Sequence, residues 1–139
     1  MTATYRIFPD AQLKHVIVSG HTELSELRDL ANRFFEDPQF STKLRQLIDL
    51  SELTDAKARF IDVFSLRNFY LRKYGTPPSP VPVAIVAPTD LGYGISKMFA
   101  TLMTGQQAMS ISIFRDHTAA FDALALSPQE RSRLLDPKG

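Results

Sequence analysis

Two glycines one residue apart, Gly92 and Gly94, open a helical pattern directly after the apolar run VAIVA (83–87) and the turn Pro88-Thr89-Asp90. Strand, turn, glycines and helix in that order can cradle a phosphate, because the backbone amides at a helix start point at an anion. The spacing here does not suit that chemistry. A Walker loop needs G-x-x-x-x-G-K-[ST], whereas Gly92, Gly94 and Lys97 stand at other intervals and no hydroxyl follows the lysine. A dinucleotide fingerprint needs a third glycine where Lys97 stands. Thr89 or Asp90 can cap the helix instead, and an aspartate at that end repels an anion. Two readings of the glycines remain: packing against neighbouring elements, or close approach of a ligand.

The other residues that could do chemistry are scattered. Asp49 ends an apolar run where a strand end could hold it beside a pocket. Arg67 falls inside the apolar face of a helix, where it either lays its stem on the core or receives a ligand carboxylate or phosphate. Tyr93 and Lys97 lie one turn apart and could add to such a site, or simply form a solvated face. His15, His21 and His117 fit no metal-binding spacing, and there is no Gly-x-Ser-x-Gly, no Ser-x-x-Lys and no cysteine. No catalytic residue, metal ligand or cofactor is therefore assigned. Contact candidates for a ligand or partner are Asp49, Arg67, Asp90, Gly92, Tyr93, Gly94 and Lys97.

A chain of 139 residues with 44% hydrophobic and 22% charged side chains has the make-up of one globular domain. Its net charge of +1, without a dense basic cluster, argues against nucleic acid as a partner. The longest apolar run, VPVAIVAP, is far too short to cross a bilayer, and no basic leader with an apolar stretch opens the chain. Together with the lack of cysteine, this gives a cytoplasmic expectation.

Periodicity supplies the elements that must position these residues. Residues 4–8 and 14–19 read as a hairpin, followed by a helix capped at Thr22 and ending at Glu36-Asp37-Pro38. Residues 43–50 read as a strand, and SELTDAK as the lead into a helix over 55–74 that Gly75 closes. The run 81–87 lacks alternation and reads as a strand covered on both faces. A helix over 90–103, a strand over 109–114 and a helix over 116–126 follow. Ser127, Pro128 and Glu130 form a capping box that predicts a short terminal helix. The expected fold is α/β: ββαβαβαβα, a mixed five-stranded sheet against about four helices in residues 1–126, with a helical tail over 127–139.

That order, with LIDLSELTD on a central strand, VAIVAPTDLGYGISKMF on the next strand and helix, and SISIFRDHTAAFDAL at the end, resembles the STAS superfamily, in particular its SpoIIAA-like branch of small bacterial proteins. The resemblance implies a non-enzymatic domain that binds a protein partner, switched by a phosphorylated serine in a D-S-S-G core. Here Lys57, Ala58, Arg59 and Phe60 occupy the four positions of that core, so the phospho-acceptor is missing. Ser51 and Thr54 are nearby hydroxyls, expected to serve the turn and the helix cap.

The second helix offers more apolar surface than one sheet contact needs. Phe60, Val63, Phe64, Tyr70, Leu71 and Tyr74 share a broad face, while Ile61 and Phe69 point elsewhere. That surplus suits a helix clamped between neighbours, a dimer contact or a pocket for a hydrophobic ligand. The leading expectation is protein interaction or sensing as a homodimer, with Ile61, Phe69, Leu134 and Leu135 in the contact. The alternative is a carrier for a small apolar or amphipathic ligand. An enzyme using Asp49, Arg67 or Tyr93 is the remote third.

Overall fold

In the computed structural model, which describes residues 3–135, the chain folds as an α/β layer structure with the expected element order. The strands are β1 (Ala3–Phe8), β2 (Leu13–Glu23), β3 (Arg45–Lys57), β4 (Val81–Val86) and β5 (Met109–Phe114). The α-helices are α1 (Leu24–Phe35), α2 (Phe60–Tyr74), α3 (Asp90–Leu102), α4 (His117–Ala123) and α5 (Pro128–Leu135). A single 3-10 turn over Pro9–Ala11 closes the β1–β2 hairpin.

The five strands lie side by side in chain order, β1 antiparallel to β2 and the rest parallel. Parallel neighbours joined in sequence need crossovers of one hand, and these put α1, α2 and α3 on the same face. The chain then turns after β5, and α4 and α5 cover part of the opposite face. Alternation divides the strand residues accordingly. Val16, Val18, Leu50, Val83 and Ile85 enter the core under α1–α3, and Leu13, Leu47, Ala84 and Val86 enter the smaller core under α4 and α5.

Several boundaries differ from the sequence reading, α4 for instance ending at Ala123 and not at 126, and the largest differences share one reason. β2 runs on to Glu23 and β3 to Lys57, because the two extensions pair with each other: Gly20 with Leu53, His21 with Asp55, Thr22 with Ala56. Gly20 adopts φ +66° beside a register shift, a backbone state that glycine reaches without strain. Thr22 therefore does not cap α1; it is a strand residue whose hydroxyl donates to the Ser19 carbonyl at 3.2 Å. Ser51 and Thr54 likewise lie within β3 and not in a turn or cap. α2 starts at Phe60, not near residue 55, with the Arg59 amide donating to Asp62 at 3.1 Å.

The C-terminal capping box forms as read: the Ser127 amide donates to Glu130 at 2.8 Å and the Glu130 amide to Ser127 Oγ at 3.1 Å. It aims α5 back at the hairpin, where Leu134 packs with Phe8 and Leu13, and Arg133 meets Asp10 at 2.9 Å. Arg45 ties the same end together, donating to the carbonyls of Leu124 and Ala11.

Candidate functional site

Between the sheet and helices α1, α2 and α3 lies a cavity of about 90 Å³. The strands supply Val16, Val18, Ile48, Leu50, Ile85 and Met109; the helices close it with Leu30 and Ala31 of α1, Val63, Leu66 and Tyr70 of α2, and Ile95, Ser96 and Phe99 of α3. The walls are almost wholly apolar, and one charged side chain stands among them. Lys14 of β2 lines the cavity and is 1% exposed.

Its placement follows from strand alternation. Lys14 stands two residues before Val16 and four before Val18, so the pleat that buries the valines buries the lysine as well. Its Nζ lies 3.6 Å from the centre of the Phe34 ring and 5.9 Å from that of Tyr5. A ring face attracts a cation, and this is the favourable polar contact the amine has. Burial without a counter-ion pushes the amine down to about 7.

Around Lys14 the other polar groups serve one another. Tyr5 donates to Asp37 at 2.7 Å, and Ser96 donates to the Gly92 carbonyl at 2.7 Å. Gln46, opposite Lys14 on β3, donates through Nε2 to the Tyr74 hydroxyl, and its Oε1 is buried with no partner among the described residues. Burial raises Tyr70 to about 12, and burial, with Tyr70 close by, raises Tyr74 further. An aromatic cluster backs this end of the core: Phe35 meets Phe40, Phe69, Tyr70 and Tyr74 edge-on, at centroid separations of 5.1, 6.0, 5.8 and 4.9 Å.

The contact candidates read from the sequence do not converge. Asp49 lies on the opposite face, accepting from His117 Nε2 at 2.9 Å and from the Ser51 amide at 2.9 Å. Burial opposes its charge, yet hydrogen bonds from Ser51 and His117 prevail and hold the carboxyl below its usual range. His15 is buried on that face, its Nδ1 without a partner among the described residues, and burial lowers it. Arg67 joins α2 to the end of α3, donating to the Leu102 carbonyl at 2.8 Å and to Asn68 at 2.7 Å. These bonds use it as a helix tie.

At the start of α3, Thr89 is the cap, accepting from the Gly92 amide at 3.2 Å. Asp90 is fully exposed and pairs with Arg115 at 3.1 Å, and Arg115 lies 4.1 Å over the Tyr93 ring. Lys97 is exposed. The two glycines differ: a methyl at Gly92 would touch Leu50 at 3.6 Å and Ala87 at 3.7 Å, whereas one at Gly94 would meet nothing within 4 Å. Packing accounts for Gly92 alone.

The α2 surface also departs from expectation. Phe60 and Phe64 do not belong to the buried face; they stack on each other at 6.1 Å and remain exposed with Ile61. Phe69, expected to point away from the core, is buried beside Phe35 and under Arg28. Leu134 is buried too, so of the four expected contact residues only Ile61 and Leu135 are exposed. Lys14 was not among the sequence candidates, although the alternation Lys14, Val16, Val18 already set it on the core face.

No family model and no curated protein matches this chain. Among the described residues, no helix is long and apolar enough to cross a membrane, and no group of three His, Asp or Glu side chains is placed to hold a metal ion.

Proposed function

We propose that this chain is a non-enzymatic binding and sensing domain, STAS-like in architecture, that takes a small amphipathic ligand between its sheet and α1–α3. The observation that carries this reading is the cavity itself. It is apolar on nearly every wall, bordered by three helices, and fitted with one charged anchor. The enzyme reading has less support, because Asp49, Arg67 and Tyr93 lie apart and each is already engaged. The phospho-switch reading has less as well, since Ala58, just before α2, carries no hydroxyl.

Methyl-resolved NMR of the purified protein, titrated with hexan-1-ol, tests the proposal. Saturable shifts at Val63, Leu66, Ile85 and Ile95 are expected, with native mass spectrometry showing one bound molecule. Shifts spread over surface methyls, or none, would defeat it.

A protein contact is a second reading, supported by the exposed set Phe60, Ile61 and Phe64 on α2. If the domain self-associates there, Ile61→Glu shifts it to a monomer in sedimentation velocity. A wild-type protein that is monomeric at tens of micromolar removes the homodimer.

A further inference from the structure

The cavity reading above leaves the chemistry of the occupant open, and the surroundings of Lys14 narrow it. Each element packed about the amine offers an aromatic or neutral group: Tyr5 from β1, Gln46 from β3, Phe34 from α1, Tyr70 from α2 and Ser96 from α3. No carboxylate lines the cavity, and the contacts of the amine are with the rings of Phe34, at 3.6 Å, and Tyr5, at 5.9 Å. A buried ammonium held only by ring faces keeps most of its desolvation cost. An occupant that brings its own anion removes that cost and places its apolar part against apolar walls.

Resting on the cavity reading, we infer that the ligand is a short-chain aliphatic monocarboxylate whose carboxylate pairs with the Lys14 ammonium while its tail lies among Val63, Leu66, Ile85, Ile95 and Phe99. The size agrees: a cavity of roughly 150 Å³ admits benzene, so 90 Å³ takes roughly four carbons before the helices must move. An aldehyde or ketone forming an imine fits less well. Loss of water from the carbinolamine needs a proton donor, and no carboxyl or imidazole lines the cavity. Because burial holds the empty-site amine near 7, a carboxylate binding at pH 8 draws a proton from solution onto Lys14.

Calorimetry at pH 8 in two buffers of different ionisation heat tests this, comparing butanoate and hexanoate with butan-1-ol and hexan-1-ol. The acids are expected to bind at least about tenfold more tightly than the alcohols of equal length, with proton uptake. Lys14→Met, close in volume, is expected to erase that preference, so that acids and alcohols of equal length bind within about threefold of each other. The wild-type Lys14 Cε resonance, titrated against pH with and without hexanoate, gives a readout that needs no variant; its midpoint should rise when hexanoate is present. Alcohols that bind as tightly as acids, without proton uptake, would overturn the carboxylate assignment and leave the cavity reading intact. If neither class binds, both fail together.

Discussion

The two faces of the sheet are made from alternate residues of the same strands, yet they treat two buried ionisable side chains, Asp49 and Lys14, in opposite ways. Under α4, Asp49 receives His117 and Ser51, and the three groups largely satisfy one another. Under α1–α3, Lys14 is more deeply buried than any of these and meets only ring faces beside an apolar cavity. A polar set that closes on itself needs nothing further to be stable. A buried charge without a partner marks where a partner from outside would be favoured. Lys14 stands on the face that α2 and α3 cover, beside the helix where a pocket for a hydrophobic ligand was one expectation.

The largest expected effect tests how much the aromatic support of Lys14 contributes. Phe34 is fully buried, touches Tyr5, Phe35 and Phe40, and underlies the amine. Phe34→Ala should cost about 3–5 kcal/mol in denaturant unfolding, from lost burial and the void left behind. A cost near 1 kcal/mol would show that the cavity face is loosely packed, and the contrast between the faces would weaken.

The pH dependence of stability separates the faces more directly. Lys14 titrates near 7 folded and near 10.5 unfolded, so the unfolded chain holds more protons across that window and stability rises with pH, by up to about 1.4 kcal/mol per unit. From pH 10 upward the order reverses. Tyr5 and Tyr70, raised to about 12, keep protons that the unfolded chain releases, so their contribution is lost as pH climbs through those values. The opposite face acts in acid: His15, lowered by burial, loses stability below its ordinary 6.5, and Asp49 does so as pH falls from 3.8 through its depressed value. Lys14→Met should flatten the alkaline limb and raise stability at pH 7 by about 1–4 kcal/mol, the range seen when buried charges give way to packed apolar side chains. Urea unfolding at intervals from pH 3 to 11 measures both limbs. A flat curve between 7 and 10 in the wild type would mean that the amine already has a counter-charge.

Most of this architecture was legible because it rests on local signals. Alternation and apolar runs mark β1, β4 and β5, Thr89 marks the start of α3, and Ser127 with Glu130 marks α5. What escaped was set by distant partners. β2 and β3 continue past their apolar runs only because each offers the other a pairing edge, and a polar stretch such as SELTDAK gives no hint of this. The buried face of α2 differs from the one its spacing suggests because packing against Phe35 of α1 buries Phe69, leaving Phe60 and Phe64 beyond the reach of that neighbour. Lys14 was readable from its spacing with Val16 and Val18. Lysine ordinarily faces water, and a cavity that makes the exception meaningful exists only in three dimensions.

A smaller effect is expected on the satisfied face. Asp49→Asn removes the charge that receives His117 but keeps an acceptor for the Ser51 amide, and the pair is partly exposed, so stability should fall by about 1 kcal/mol at pH 6. The same substitution should leave hexanoate affinity unchanged. A loss of binding in Asp49→Asn would break the separation of the faces, by coupling the histidine pair to the cavity through the sheet.

The smallest effect comes from Gly94, and it tests whether α3 serves the cavity as a whole or only through its inner side. Gly94 lies in the same helix as Ile95, Ser96 and Phe99, which line the cavity, but its own position faces open space. Alanine there gains helix propensity and meets no clash, so Gly94→Ala should stabilise the fold by about 0.5–1 kcal/mol. Gly92 differs, since anything larger than a methyl would press on Leu50 and Ala87, and Gly92→Val should destabilise. If α3 only walls the cavity, Gly94→Ala leaves hexan-1-ol affinity as it was. If α3 must also yield to admit a ligand, the stiffer helix slows ligand exchange in NMR lineshapes without altering the shifts at Ile95. Weaker alcohol binding with shifted Ile95 and Phe99 resonances would show instead that the outer side of α3 sets the shape of the cavity.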